Sequence, residues 1–121
     1  MTADLDAAAL LDEATRLRRA FDDDTLTIDV FHHRQHLAVA TLFLLDLPYD
    51  AALDRVRSGL RRLLGRHGVD GYDEYVTVAW MQALASRLGV QPADWPREKR
   101  LHETVVWAQS YKLPSRPDSA Q

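Results

Sequence analysis

Residues 31–45 read FHHRQHLAVATLFLL: a histidine-rich start, then a run from Leu37 to Leu45 interrupted only by Thr41. At helical periodicity the second half of this stretch is apolar on every side, and such a helix has to be buried on most of its faces. A membrane span needs about 20 consecutive apolar residues, and this run is nine long. The segment therefore reads as the central helix of a water-soluble bundle, and the remaining segments must supply its cover. Thr27 is the expected N-cap, and Pro48 stops the helix by Leu47.

Working outward, the flanking segments also carry helical signals. Upstream, Leu10, Ala14, Leu17 and Phe21 form one stripe in a helix expected over Asp4 to Phe21, ended by Asp22, Asp23 and Asp24. Downstream, a helix from Asp50 to Arg66 presents Leu53, Val56, Leu60 and Leu64, and Gly65 and Gly68 mark its end. A fourth, from Tyr72 to Leu88, presents Val76, Trp80, Ala83 and Leu84 and stops at Gly89. The fifth starts after Asp94-Trp95-Pro96 and runs through Leu101, Val105 and Ala108 to Tyr111. No segment alternates as a strand would. Short connections between long helices favour antiparallel neighbours. The expected fold is all-α, a compact four- or five-helix bundle forming a single domain over 1–112, with 113–121 as a flexible C-terminal tail.

Composition narrows the function classes. A chain of 121 residues with 46% hydrophobic and 27% charged residues can bury one core. Cysteine is absent, which removes disulfides, thiolate nucleophiles and thiolate metal sites and suits a cytoplasmic location. Residues 1–9 have no basic start, so no secretory signal is expected. A net charge of −3 argues against nucleic-acid binding. Arg61, Arg62 and Arg66 read as the solvated, dipole-complementing end of a helix. No membrane partner is expected either. Serines lack a G-x-S-x-G elbow, and no glycine-rich phosphate loop follows a strand.

Chemistry concentrates in His32, His33 and His36 at the mouth of the apolar helix. His33, His36, Ala40 and Phe43 share a stripe that continues into the apolar half, so His33 and His36 are expected to turn inward. Buried imidazoles need partners for their ring nitrogens. Candidates open the fourth helix: Tyr72, Asp73, Glu74 and Thr77. Asp73 also reads as a plain N-cap, and Trp80 and Trp107 read as core packing. In an up-down bundle the second and fourth helices run the same way, which puts their N-terminal ends together. His67 and His102 carry no functional expectation.

These two strings resemble a small bacterial family of helical proteins that has no assigned activity. That family is marked by F-x-H-x-x-H-L on one helix and G-Y-H-E-T-x-T downstream. Here the strings are Phe31, His33, His36 and Leu37, then Gly71, Tyr72, Glu74 and Thr77. The resemblance covers roughly residues 21–88. Asp73 stands where the pattern has His, and Tyr75 where it has Thr. It implies a shared fold and site but no reaction, and a site that needs a third imidazole is altered in this chain.

Three readings of the cluster follow. In one, His33, His36, Glu74, Asp73 and Thr77 form a structural polar network. In another, His33, His36 and Glu74 bind a divalent metal, zinc or iron, although no H-E-x-x-H or paired E-x-x-H motif is present. In the third, His33 or His36 moves a proton on a small molecule, Glu74 orients it, and Tyr72, Asp73, Thr77 and Trp80 bind the substrate. The leading expectation is a small cytoplasmic enzyme or a ligand- or metal-binding protein acting on a small molecule through His33, His36 and Glu74. The alternative is a non-catalytic interaction or accessory protein. An enzyme predicts a pocket opening onto the histidines. An interaction protein predicts a closed histidine network and an exposed apolar patch.

Overall fold

The computed structural model of the chain describes residues 2–114, with side chains from Asp6 onward. Five α-helices follow in order: α1 (Thr2–Asp22), α2 (His33–Asp46), α3 (Tyr49–Arg66), α4 (Glu74–Gly89) and α5 (Arg97–Ser110). No strand occurs among the described residues. Most of the proposed tail lies outside them; Leu113 and Pro114 are irregular.

The all-α bundle is organised around α2, which packs against each of the other four helices. Residues Leu37, Ala38, Val39, Ala40, Thr41, Leu42 and Phe43 are buried in succession. Seven consecutive buried positions cover every direction around a helix axis, as the all-round apolar run requires. Thr41 is tolerated because its hydroxyl donates to the Leu37 carbonyl at 2.7 Å.

The entry to α2 differs from the expectation of one helix starting at Thr27. Thr27 instead precedes a three-residue 3-10 turn, Ile28–Val30, and α2 starts afresh at His33 with His32 as its N-cap residue. The break leaves Phe31 free to fold back on Phe21, with ring centroids 5.7 Å apart. Upstream, the three aspartates end α1 as expected. Asp24 sits in the left-handed region at φ 61, a conformation Asp tolerates better than most residues. Arg62 and Arg66 of α3 donate to its carboxylate at 2.8 and 3.0 Å. Those arginines therefore clamp the α1–α2 connection to α3 and are not simply a solvated helix end.

Two buried faces are rotated from the expected stripes. On α3 the buried residues are Ala52, Val56, Gly59, Leu60 and Leu63, so Leu53 and Leu64 lie at the margin. Gly59 explains the rotation: a Cβ there would lie 2.2 Å from the Phe21 ring. Phe21 itself is buried and packs on Phe43 as well. On α4 the buried residues are Thr77, Met81, Leu84 and Leu88, while Val76 is exposed and Trp80 and Ala83 are marginal. The α5 stripe of Leu101, Val105 and Ala108 is buried as expected, with Thr104 added.

The Phe21–Gly59 contact yields a stability test. Gly59→Ala gains helix propensity but drives a methyl into the buried Phe21 ring, which already packs on Phe31 and Phe43. We expect net destabilisation on the order of 1–3 kcal/mol, read as a lower urea midpoint. An unchanged or raised midpoint would refute the close approach.

Candidate functional site

The fresh start of α2 places His33 at its first position and His36 in its first turn, where unpaired backbone N–H groups concentrate positive potential. That end of a helix disfavours an imidazolium. His36 is partly buried, and its ring lies 5.1 Å from that of Phe31. Burial, and secondarily the adjacent His33, pull the His36 pKa down from 6.5 to about 4. His36 is therefore neutral at physiological pH. His33 is exposed, and its ring meets the Trp80 indole edge-on at 5.3 Å.

The inward half of the expectation is met in part. His33, His36, Thr77 and Trp80 line one cavity together with Leu37, Ala40, Val56, Val76, Met81 and Leu84. The start of α2 does meet α4, as parallel placement of these helices requires. The cavity measures only about 40 Å3. One water occupies about 30 Å3 of liquid volume, and sites for drug-sized ligands occupy roughly 300–1,000 Å3. The space is of the order of one or two waters and well below that range.

The acidic half of the expectation comes out differently. Glu74 is turned to α3, where Arg57 grips both of its oxygens: Nε donates at 3.0 Å to each and Nη2 at 2.6 Å to Oε2. The Tyr72 hydroxyl donates to Oε1 at 2.6 Å, and Arg61 stands 3.8 Å away. These donors hold the Glu74 carboxyl down at about 2, Arg57 first and Tyr72 second. Glu74 also keeps the Arg57 pKa raised. Glu74 therefore works as an α3–α4 clasp. Among the described residues no three His, Cys, Asp or Glu side chains are grouped to hold a metal ion. His33, His36 and Glu74 thus do not form the three-ligand set that the metal reading needs.

The remaining candidates have defined places. Asp73 is the N-cap of α4, and its side chain accepts from the Val76 amide at 3.1 Å. Thr77 is buried and donates from its hydroxyl to the Asp73 carbonyl at 3.0 Å. Tyr72 lies under the Arg61 guanidinium, 4.8 Å from its ring centre, and desolvation raises its pKa first, the Glu74 bond second. Arg57 escapes a sequence reading because its partner lies in another helix. Only the Asp54–Arg57 spacing hints at it, and that pair does form at 2.9 Å.

His67 has a role that its position at a helix end did not announce. Its Nδ1 donates to the Leu63 carbonyl at 3.0 Å, and the Ile28 amide donates to its Nε2 at 3.5 Å. This tautomer ties the end of α3 to the 3-10 turn before α2. His102 is half-buried beside Glu103, 3.6 Å away.

A larger concavity lies on the opposite side of α4. Tyr75, Val78, Ala79, Gln82, Ala83, Ser86, Arg87, Val90, Trp107, Tyr111 and Pro114 line an open groove of about 530 Å3 between α4 and α5, with the Arg87 guanidinium 5.3 Å from the Trp107 ring centre. Trp107 and Tyr111 stack at 4.5 Å, and Tyr111 meets Trp80 at 6.0 Å, so an aromatic row separates the groove from the histidine cavity. No helix among the described residues is long and apolar enough to cross a membrane. Comparison with family models, with curated proteins and with solved structures gives no match for this chain.

The depressed His36 pKa sets a pH dependence of stability. Unfolded, the imidazole takes up a proton near 6.5; folded, it resists until about 4. The folded state is thus fully favoured above 6.5 and loses this contribution as pH falls from 6.5 to 4. The limit is about 3 kcal/mol, reduced by the ring's partial exposure. His36→Leu should flatten this part of the pH–stability curve measured by urea titration. Equal slopes for the two proteins would disprove a neutral, buried His36.

Proposed function

We propose that this protein is a non-catalytic interaction module that works through the outer face of α4 and the groove beside it, with the histidine pair serving helix packing. One observation carries the reading: the space at the histidines, about 40 Å3, admits no substrate, while the groove of about 530 Å3 lies on the other side of Trp80. The engagement of Glu74 by Arg57 and Tyr72 supports it further, because neither histidine gains a carboxylate from Glu74 to orient it. The absence of cysteine accords with a cytoplasmic setting.

A photo-crosslinking residue tests this proposal in the producing cell. Placed at the exposed Ser86, on the groove, it should give discrete protein adducts. Placed at Val30, which is 48% exposed at the far 3-10 turn, it should not. Equal adducts from both positions, or none from Ser86, would remove the assignment of this face.

A second reading is favoured by a separate observation, the convergence of His33, His36, Thr77 and Trp80 on one cavity. In it the imidazoles bind a small molecule, or a zinc or iron ion completed by ligands from outside the chain. Metal analysis of untagged protein distinguishes it. Stoichiometric metal that disappears in His33→Ala/His36→Ala would make the second reading the better one. We expect no stoichiometric metal and a less stable double variant.

A further inference from the structure

Two imidazoles and a thioether line one small cavity, those of His33, His36 and Met81. His33 is exposed, His36 is partly buried, and Met81 is buried at 1% exposure. The histidines stand three residues apart on α2, a spacing that sets two side chains beside each other. Met81 faces the same space from the core face of α4. Among the described residues neither imidazole takes part in a hydrogen bond or an ion pair. Each rests instead against an aromatic ring, Trp80 for His33 and Phe31 for His36. A metal is ligated by the neutral imidazole, and burial keeps His36 in that form down to a pH of about 4.

We propose that this cavity is a copper(I) site, with His33, His36 and Met81 as its ligands. Three features select that ion. The first is the donor set: a thioether is a soft ligand that favours Cu(I), and imidazole binds copper as readily as zinc. The second is charge. All three donors are neutral, the lining around them includes Leu37, Val56 and Leu84, and Glu74 is committed to Arg57 and Tyr72. The cost of taking an ion out of water rises with the square of its charge, so an uncompensated divalent ion is penalised about four times as heavily as a monovalent one. The third is size. A cavity of about 40 Å3 admits a bare ion but not one that keeps its hydration shell.

This site differs from a zinc or iron site on the same histidines, because its third ligand comes from the chain and its ion carries a single charge. It also goes beyond the interaction reading, which uses the outer face of α4 and leaves Met81 and the imidazoles to the core side. Cu(II), the state stable in air, prefers a tetragonal set of nitrogen and oxygen donors that the cavity lacks. Protein purified in air without added copper should therefore carry none.

Anaerobic titration of the purified full chain with Cu(I), in competition with the chromophoric chelator bicinchoninate, decides the matter. The wild type should take up about one Cu(I) per chain, and Zn2+ at the same concentration should leave that uptake unchanged. X-ray absorption at the copper edge should show sulfur as well as nitrogen neighbours. Met81→Leu conserves the volume of the core and so the fold, which circular dichroism verifies. It should bind Cu(I) at least about tenfold more weakly and lose the sulfur signal. His33→Gln, at an exposed position that does not endanger folding, should weaken binding to a similar degree. No uptake by the wild type, copper with nitrogen neighbours alone, or Met81→Leu binding as tightly as the wild type would overturn the proposal. The last two results would assign the metal to exposed histidines such as His32. None of these outcomes bears on the crosslinks from Ser86, so the interaction reading stands or falls separately.

Discussion

A helix with no polar side can be stable in water only if something covers it all the way round, and in this protein that demand falls on α2. Its seven consecutive buried residues leave no direction for solvent. Each of the other helices supplies one wall, and each touches α2. The outer surface is then tied together by charge. Arg18 and Arg97 both reach Asp46 at the end of α2, Arg62 and Arg66 hold Asp24, and Arg57 holds Glu74. These are mostly exposed pairs and individually worth little. Their contribution is to register, because each joins two different segments.

The same demand shapes the histidine region. If α2 had begun at Thr27, His33 and His36 would have been mid-helix and deeper in the bundle. The chain instead breaks at Phe31 and His32, so that Phe31 can pack on Phe21 and on the His36 ring. The histidines consequently sit in the first turn of α2, at its positive end, where a neutral ring is the compatible state. A base held at about 4 is poorly matched to proton transfer near neutrality, for which the best value lies near the working pH. Geometry and protonation thus both support the packing role proposed for His36.

Which parts were readable from sequence follows from how local each signal is. The five helices were readable, because proline, glycine, caps and apolar spacing act within a few residues. So were the α5 stripe, the Asp73 cap and the meeting of the α2 and α4 starts. The rotation of α3 was not, because Gly59 looks like a helix defect until Phe21 is placed against it. The fate of Glu74 was not either. A carboxylate in a first turn can reach a histidine or an arginine equally well, and only the packing of α3 beside α4 brings Arg57 within 3.0 Å. The two strings singled out in the sequence thus divide in the structure: His33, His36, Leu37 and Thr77 border the cavity, while Tyr72 and Glu74 belong to the clasp.

α2 and α4 have the same weakness as sequences: neither concentrates its apolar residues on one face. In α2 the ambiguity is resolved by full enclosure. α4 packs on α2, α3 and α5, and its remaining side is left with alanine, valine, serine and glutamine where a solvated helix would carry lysine or glutamate. Exposed apolar residues scattered singly need no explanation, but a largely apolar groove with a stacked Trp–Tyr wall does. Enclosure is the physical answer that the chain itself gives for α2. For α4 no further helix among the described residues covers that side, and Arg87, seated over the Trp107 ring, and Pro114 border it instead.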